Sequence, residues 1–186
     1  MKSLIKNFIG HLTTITRHRH LVIKNCSRAG ILRQGLLHDL SKYNPVEFFA
    51  GVRHYQGVRS PNEVERELYG YSPAWLHHKG RNKHHFEYWT DYNVKTRMVE
   101  PIRMPDKYVV EMLCDRIAAS KIYMRENYND SSPLQYYKNS HTASCIHKET
   151  AEFIEELLTV LAEHGEDAVF DYIRKSDRRT RSTWDR

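Results

Sequence analysis

Four times this chain places proline directly after asparagine or serine: Asn44-Pro45, Ser60-Pro61, Ser72-Pro73 and Ser132-Pro133. A short oxygen-bearing side chain can accept a bond from a free N–H of a first helical turn. Proline suits the position after it, where its missing N–H would be unsatisfied anyway. Each pair therefore reads as a helix start. Apolar residues between these starts recur every three or four positions, and no segment sustains an alternation of β-branched and polar residues. The expected fold class is all-α, one helical bundle.

Leu4, Ile5, Phe8, Ile9, Leu12, Ile15, Val22, Ile23 and Cys26 mark the apolar positions of a long first helix that Gly30 stops. A second helix is expected from Ile31 to Tyr43 and a third from Pro45 to near Gly57. Two short ones follow, closed by Gly70 and Gly80. Asp106 can cap a helix running to about Tyr123, and Ser132 starts a short one. Lys148 to Glu163 forms an amphipathic helix that Gly165 ends before a last helix from Glu166 to Arg174. Residues 1–174 read as one domain and 175–186, KSDRRTRSTWDR, as a basic, frayed tail.

Hydrophobic residues at 40% and charged residues at 28% give a globular balance. No run of about 18 apolar residues is present to span a bilayer, and the N-terminus carries histidines and arginines where a signal peptide needs its apolar stretch. A cytoplasmic protein without a membrane partner is expected. Cys26, Cys114 and Cys145 are isolated and odd in number, which suggests free, buried thiols rather than a disulfide framework. The formal charge of +6 favours anionic partners, phosphates and nucleic acid alike.

Twelve histidines narrow the choice, because imidazole is the commonest metal ligand. His38-Asp39 interrupts an apolar stretch, LLHDL. A carboxylate there must find a cation, a histidinium or several donors, and a shared divalent metal would satisfy both side chains. An ordinary His-Asp hydrogen bond would do so as well. His18 lies one turn from both Ile15 and Val22, at the edge of the apolar face, with His11 a weaker candidate on the same face. Asp115 sits among Met112, Ala118, Ala119 and Ile122, a small-residue patch that another helix can approach closely; pairing with Arg116 or Arg125 is its structural alternative.

His18, then HDLSK from His38 to Lys42, then Asp115 resembles the H...HD...D signature of the HD-domain metal-dependent phosphohydrolases. Segments HDLSKYNPVEF and GYSPAWLHHKGRNKHHFEYW also resemble a narrower family of uncharacterised bacterial and phage proteins. The resemblance implies an HD-type helical cup in which His18, His38, Asp39 and Asp115 surround a divalent ion, with phosphate-ester hydrolysis as the usual chemistry. In binuclear members two further histidines hold a second metal. One of His77 or His78 and one of His84 or His85 can take that role here.

The stretch His77 to Trp89 also carries Lys79, Arg81 and Lys83 around Gly80 and Asn82. Arg81 and Lys83 are expected to grip phosphate, the guanidinium through paired donors and the ammonium as a point charge. A solvated basic loop is the bland alternative. Lys42 is a second candidate for phosphate. Glu47 is a candidate proton acceptor, with N-terminal capping equally open to it.

The expected activity is that of a metal-dependent phosphohydrolase, a phosphomonoesterase or nucleotidase, using a metal-activated water, with a small phosphorylated substrate such as a nucleotide. The donor set suits manganese, iron, cobalt, nickel or zinc, as one ion or two. The alternatives are a di-iron oxygenase on the same scaffold, a structural metal site, and a non-catalytic nucleic-acid-binding module. In that module Arg17, Arg19, Lys79, Arg81, Lys83 and the basic tail would track a phosphate backbone.

Overall fold

The computed structural model of the chain describes residues 2–176. Apart from its first two residues, the basic tail expected over 175–186 lies outside them. The described residues form an all-α domain with one small β-hairpin. Its helices are α1 (Lys2–Arg28), α2 (Leu32–Leu37), α3 (Pro45–His54), α4 (Pro61–Tyr69), α5 (Pro73–Lys79), α6 (Asp106–Met124), α7 (Ser132–Asn139) and α8 (Lys148–Lys175).

Three of the four proline-marked starts behave as their chemistry requires; the fourth, α7, begins at Ser132 with no capping bond from Ser131. Asn44, Ser60 and Ser72 each accept a backbone N–H from the first turn of α3, α4 and α5, with proline directly after them. Gly70 ends α4 in the left-handed conformation at φ 79°. Gly165 takes φ 82° and ψ 177° and kinks α8 where two separate helices were expected.

The core forms where α6 is sandwiched between α1 and α8. Val22 and Cys26 of α1 and Ala29 just after it, Val109, Leu113 and Ile117 of α6, and Ile154, Leu158 and Leu161 of α8 are buried there. Asn25 reinforces the α1–α6 seam by donating its side-chain amide to the Cys114 carbonyl at 3.2 Å. Gly35 allows α2 to lie on α1, since a Cβ there would stand 2.7 Å from Cys26 Cβ.

Four expectations need correction. The N-terminal turns of α1 project beyond the core, leaving Leu4, Ile5, Phe8 and Ile9 exposed; its buried positions are His11, Ile15, His18, Val22, Asn25 and Cys26. Cys145 is exposed, although Cys26 and Cys114 are buried. Residues 90–101 form an antiparallel hairpin, β1 (Thr90–Asn93) and β2 (Met98–Pro101), paired Thr90 to Pro101 and Asn93 to Met98. Its strands are four residues long, too short for a period of two to stand out in sequence. The helix expected from Ile31 to Tyr43 breaks at His38: α2 stops at Leu37, Asp39 turns left-handed at φ 53°, and a 3-10 turn covers Leu40–Tyr43.

That last break shapes everything that follows. Neighbouring residues on an α-helix point about 100° apart and cannot face one target. With His38 extended at ψ 128° and Asp39 left-handed, both side chains reach the same spot. Aspartate is among the few residues that tolerate a left-handed backbone.

Candidate metal centre

Asp39 is the hub. Its carboxylate is 2% exposed; Oδ2 pairs with Lys42 Nζ at 2.6 Å, while Oδ1 has no hydrogen-bond partner. Around Oδ2 stand His38 Nε2 at 3.2 Å and His18 Nε2 at 3.9 Å. Asp115 Oδ1 closes this group, 2.9 Å from His18 Nε2 and 3.6 Å from His38 Nε2. Around Oδ1 stand His78 Nε2 at 3.3 Å and His84 Nε2 at 3.4 Å, with His85 Nε2 2.8 Å from His78 Nε2.

These spacings fit a metal. Ligand bonds of about 2.0–2.2 Å put donor atoms roughly 2.8–3.6 Å apart between octahedral and tetrahedral angles, the range of most of these contacts. Each four-residue group has its donor atoms within 4.8 Å of one another. The Nε2 atoms of His38 and His84 are, like Asp39 Oδ1, buried without a hydrogen-bond partner, and His18 Nε2 has only Asp115 Oδ1, 2.9 Å away. A buried polar atom left in that condition is costly, and a cation at each group would satisfy all of them together. The buried His, Asp and Glu side chains can therefore hold metal ions, with Asp39 offering one oxygen to each group.

The Nδ1 atoms face outward onto carboxylates. Glu111 Oε1 stands 3.0 Å from His38 Nδ1 and 3.2 Å from His84 Nδ1. Glu47 Oε2 stands 2.8 Å from His78 Nδ1. A carboxylate behind an imidazole fixes its tautomer, so that Nε2 carries the lone pair for a metal. His38, His84 and Glu111 thus form an orienting contact rather than a third ion site, because Glu111 meets their outer nitrogens at hydrogen-bond distance. Burial alone would raise the Glu111 carboxyl, but the bonds to His38 and His84 prevail and hold it down at about 2.

Charge balance across the hub is just as tight. Burial would raise Asp39, yet His38, Lys42 and His78 hold it well below the usual carboxylate range. Burial would likewise raise Asp115, which His18 and His38 hold well below it. Burial would lower His38, but Asp39, Asp115 and Glu111 raise it well above the ordinary imidazole value.

Of the sequence candidates, the fold brings His18, His38, Asp39, Asp115, His78, His84 and His85 together. His77 is left out, its Nδ1 lying 2.6 Å from Glu47 Oε1. Glu47 is occupied by His77, His78 and the Ser41 hydroxyl, while the capping oxygen of α3 belongs to Asn44. It orients histidines rather than standing free to take a proton. Lys42 binds Asp39 Oδ2 at 2.6 Å. Arg81 is exposed and donates to the His77 carbonyl, and Lys83 is exposed beside the Tyr88 and Tyr108 rings. Neither borders the cavity over the centre, because the loop folds its histidines inward and its cations outward.

Sequence reading missed Glu111, Ser41 and Asn82. Asn82 donates to Ser41 Oγ and the His78 carbonyl, both at 2.8 Å, and so ties the loop to the HD turn. Glu111 had a signal: it stands one turn before Asp115, among Val109, Val110, Met112 and Leu113, which are buried.

A cavity of about 590 Å³ opens onto His18, His78, His85 and Asp115. Ile15, Trp75 and Met112 supply apolar wall, and Trp75 stands 4.6 Å from the His85 ring. Access and donor atoms thus meet at one place, the common arrangement of a ligand site. No helix among the described residues is long and apolar enough to cross a membrane.

The chain belongs to a family of unknown function, DUF5662, whose model matches residues 7–160. That span includes every side chain of the centre. No curated protein and no solved structure matches the chain.

Proposed function

We propose that this protein is a metal-dependent phosphohydrolase in which two ligand groups sharing Asp39 would each hold a divalent ion, acting on a small phosphorylated molecule. The observation that carries this is the convergence of two imidazole sets on the two oxygens of one buried carboxylate, of which only Oδ2 has a cation, Lys42, beside it. His18, His38, Asp39 and Asp115 would hold one ion, and Asp39, His78, His84 and His85 the other. Divalent ions held there would lower the pKa of a coordinated water from 15.7 towards about 7 and polarise a phosphoryl oxygen.

The protein's own residues do the rest. Glu111 and Glu47 hold the imidazoles in the ligating tautomer. Lys42 offsets the charge of Asp39 and borders the cavity, where it can meet a phosphate oxygen. Ile15, Trp75 and Met112 give the reacting end an apolar wall, which strengthens each charge contact beside it.

Mixed imidazole and carboxylate donors without thiolate suit manganese, iron, cobalt, nickel or zinc. A nucleic-acid module built on Arg81 and Lys83 would leave the buried unpartnered atoms without a purpose. The test is elemental analysis followed by a phosphate-ester screen with and without chelator. About two ions per chain and chelator-sensitive phosphate release are expected. Two bound ions without release from any ester, or an air-sensitive di-iron spectrum with oxygen consumption, would overturn the hydrolase in favour of a structural centre or an oxygenase.

A further inference from the structure

The cavity over the centre has a second polar feature. Arg116 follows Asp115 on α6 and borders the same cavity, as does Glu87 from the 3-10 turn Phe86–Tyr88. Arg116 Nε is buried and unpartnered, and the guanidinium makes no hydrogen bond or ion pair with a described residue. It lies 5.4 Å from the Tyr137 ring centroid. Glu87 Oε2 is buried and unpartnered too.

Arg116 and Glu87 are each part-buried, but a buried guanidinium nitrogen without an acceptor and a buried carboxylate oxygen without a donor are each costly. Here two opposite charges border one cavity without pairing to each other. Ser140 and Thr142, whose hydroxyls stand 2.5 Å apart, border it as well. The same cavity leads to His18, His78 and Asp115, so whatever binds Arg116 shares its space with the metal ligands.

We propose that Arg116 and Glu87 form a recognition site for a phosphorylated polyol, Arg116 binding an oxygen of the phosphate and Glu87 accepting a hydrogen bond from a hydroxyl of the carbon skeleton. A guanidinium supplies paired donors in the geometry of two phosphate oxygens, the task that the outward-facing Arg81 and Lys83 cannot perform. Glu87 sets the second half of the specificity. A carboxylate repels a second anion and welcomes a neutral donor, so the site favours a sugar or nucleoside monophosphate over a bisphosphate. A cavity of about 590 Å³ has room for either. This assignment deepens the phosphohydrolase proposal by naming the class of its substrate.

The test is calorimetric binding of inorganic phosphate and of ribose 5-phosphate to the metal-loaded protein, with metal content measured alongside. Wild type is expected to bind both. Arg116→Met is expected to weaken both by about tenfold or more at unchanged metal content. Glu87→Gln is expected to weaken ribose 5-phosphate several-fold and to spare inorganic phosphate. Should Arg116→Met fail to fold, Arg116→Lys keeps the charge without the paired donors and is expected to weaken both ligands. Wild-type affinity in the arginine variants, equal loss of both ligands in Glu87→Gln, or no binding by the metal-loaded wild type would each overturn the proposal. Ester hydrolysis is scored separately. Turnover that survives in Arg116→Met with unchanged affinities sinks this site and leaves the phosphohydrolase standing. Arginine-dependent binding without turnover of any ester does the reverse.

Discussion

The two sides of Asp39 are built in opposite ways. Its Oδ2 side draws His18 from α1, His38 from the break after α2 and Asp115 from α6, residues that meet because α1 packs on both α2 and α6. Its Oδ1 side draws His78, His84 and His85 from one stretch of eight residues at the end of α5 and in the loop after it. One half is assembled by tertiary packing and the other by a local turn, and the single Asp39 side chain joins them. The first half thus shares the stability of the core, whereas the second depends on Asn82, Ser41 and Glu47 to hold a loop in place.

The largest effect should come from removing what the halves share. Asp39→Ala is expected to lose both ions, leaving fewer than about 0.2 ions per chain by elemental analysis. Chelation of the wild type should likewise lower its melting temperature, because an ion present at about a thousand times its Kd contributes about 4 kcal/mol to stability. For a chain of this size that corresponds to roughly 8–16 °C in a calorimetric scan. One ion retained at full occupancy in Asp39→Ala would show that the two groups are independent sites.

Single-sided variants come next. His18→Ala and His84→Ala are each expected to lose about one ion of two. The difference should lie in the fold. His84 is 1% exposed and meets Glu111, but it stands on a loop that can close over the gap, so metal-free His84→Ala should lose less stability than metal-free His18→Ala, which opens space beside Ile15 and Val22 in a helix seam. Truncations of that kind in a packed interior cost about 1–3 kcal/mol. Equal melting of the two metal-free variants would break the contrast between a packed half and a looped half.

The same contrast explains what was legible in the sequence. The Asn44-Pro45, Ser60-Pro61 and Ser72-Pro73 caps, Gly70 and a break at Gly165 were readable because cap chemistry is local. His18 and Asp115 were readable because each stood at helical spacing inside an apolar face. The loop resisted. His77 and His78 are adjacent and chemically identical, and only the direction of α5 decides that His78 meets Asp39 while His77 turns to Glu47. Arg81 and Lys83 failed for the same reason, since charge near histidines says nothing about which side of the loop faces the cavity. The left-handed turn at Asp39 was hidden because LLHDLSKY reads as a continuous helix unless the need for two convergent side chains is known.

Glu111→Gln should have a smaller effect that touches both halves, because one carboxylate stands behind His38 and His84. Loss of such an orienting partner weakens metal affinity by about 10–100-fold. Competition with a chromogenic chelator is expected to show both ions weakened together. Weakening of one ion alone would assign Glu111 to a single half.

Glu47→Gln gives the smallest and most selective effect. Glu47 backs His78 and His77 but neither His18 nor His38, so its carboxylate serves the Oδ1 side alone. The amide keeps one acceptor oxygen for His78 Nδ1 and loses the charge that strengthens imidazole as a donor to metal, so the expected loss is near the lower end of the range, about tenfold. Chelator competition should then separate into two steps, with the tighter ion unchanged and the weaker one released about ten times more readily. If both ions shifted together, the halves would be coupled through Asp39 strongly enough that the looped side could not weaken alone, and the packed side would have to be regarded as depending on the loop.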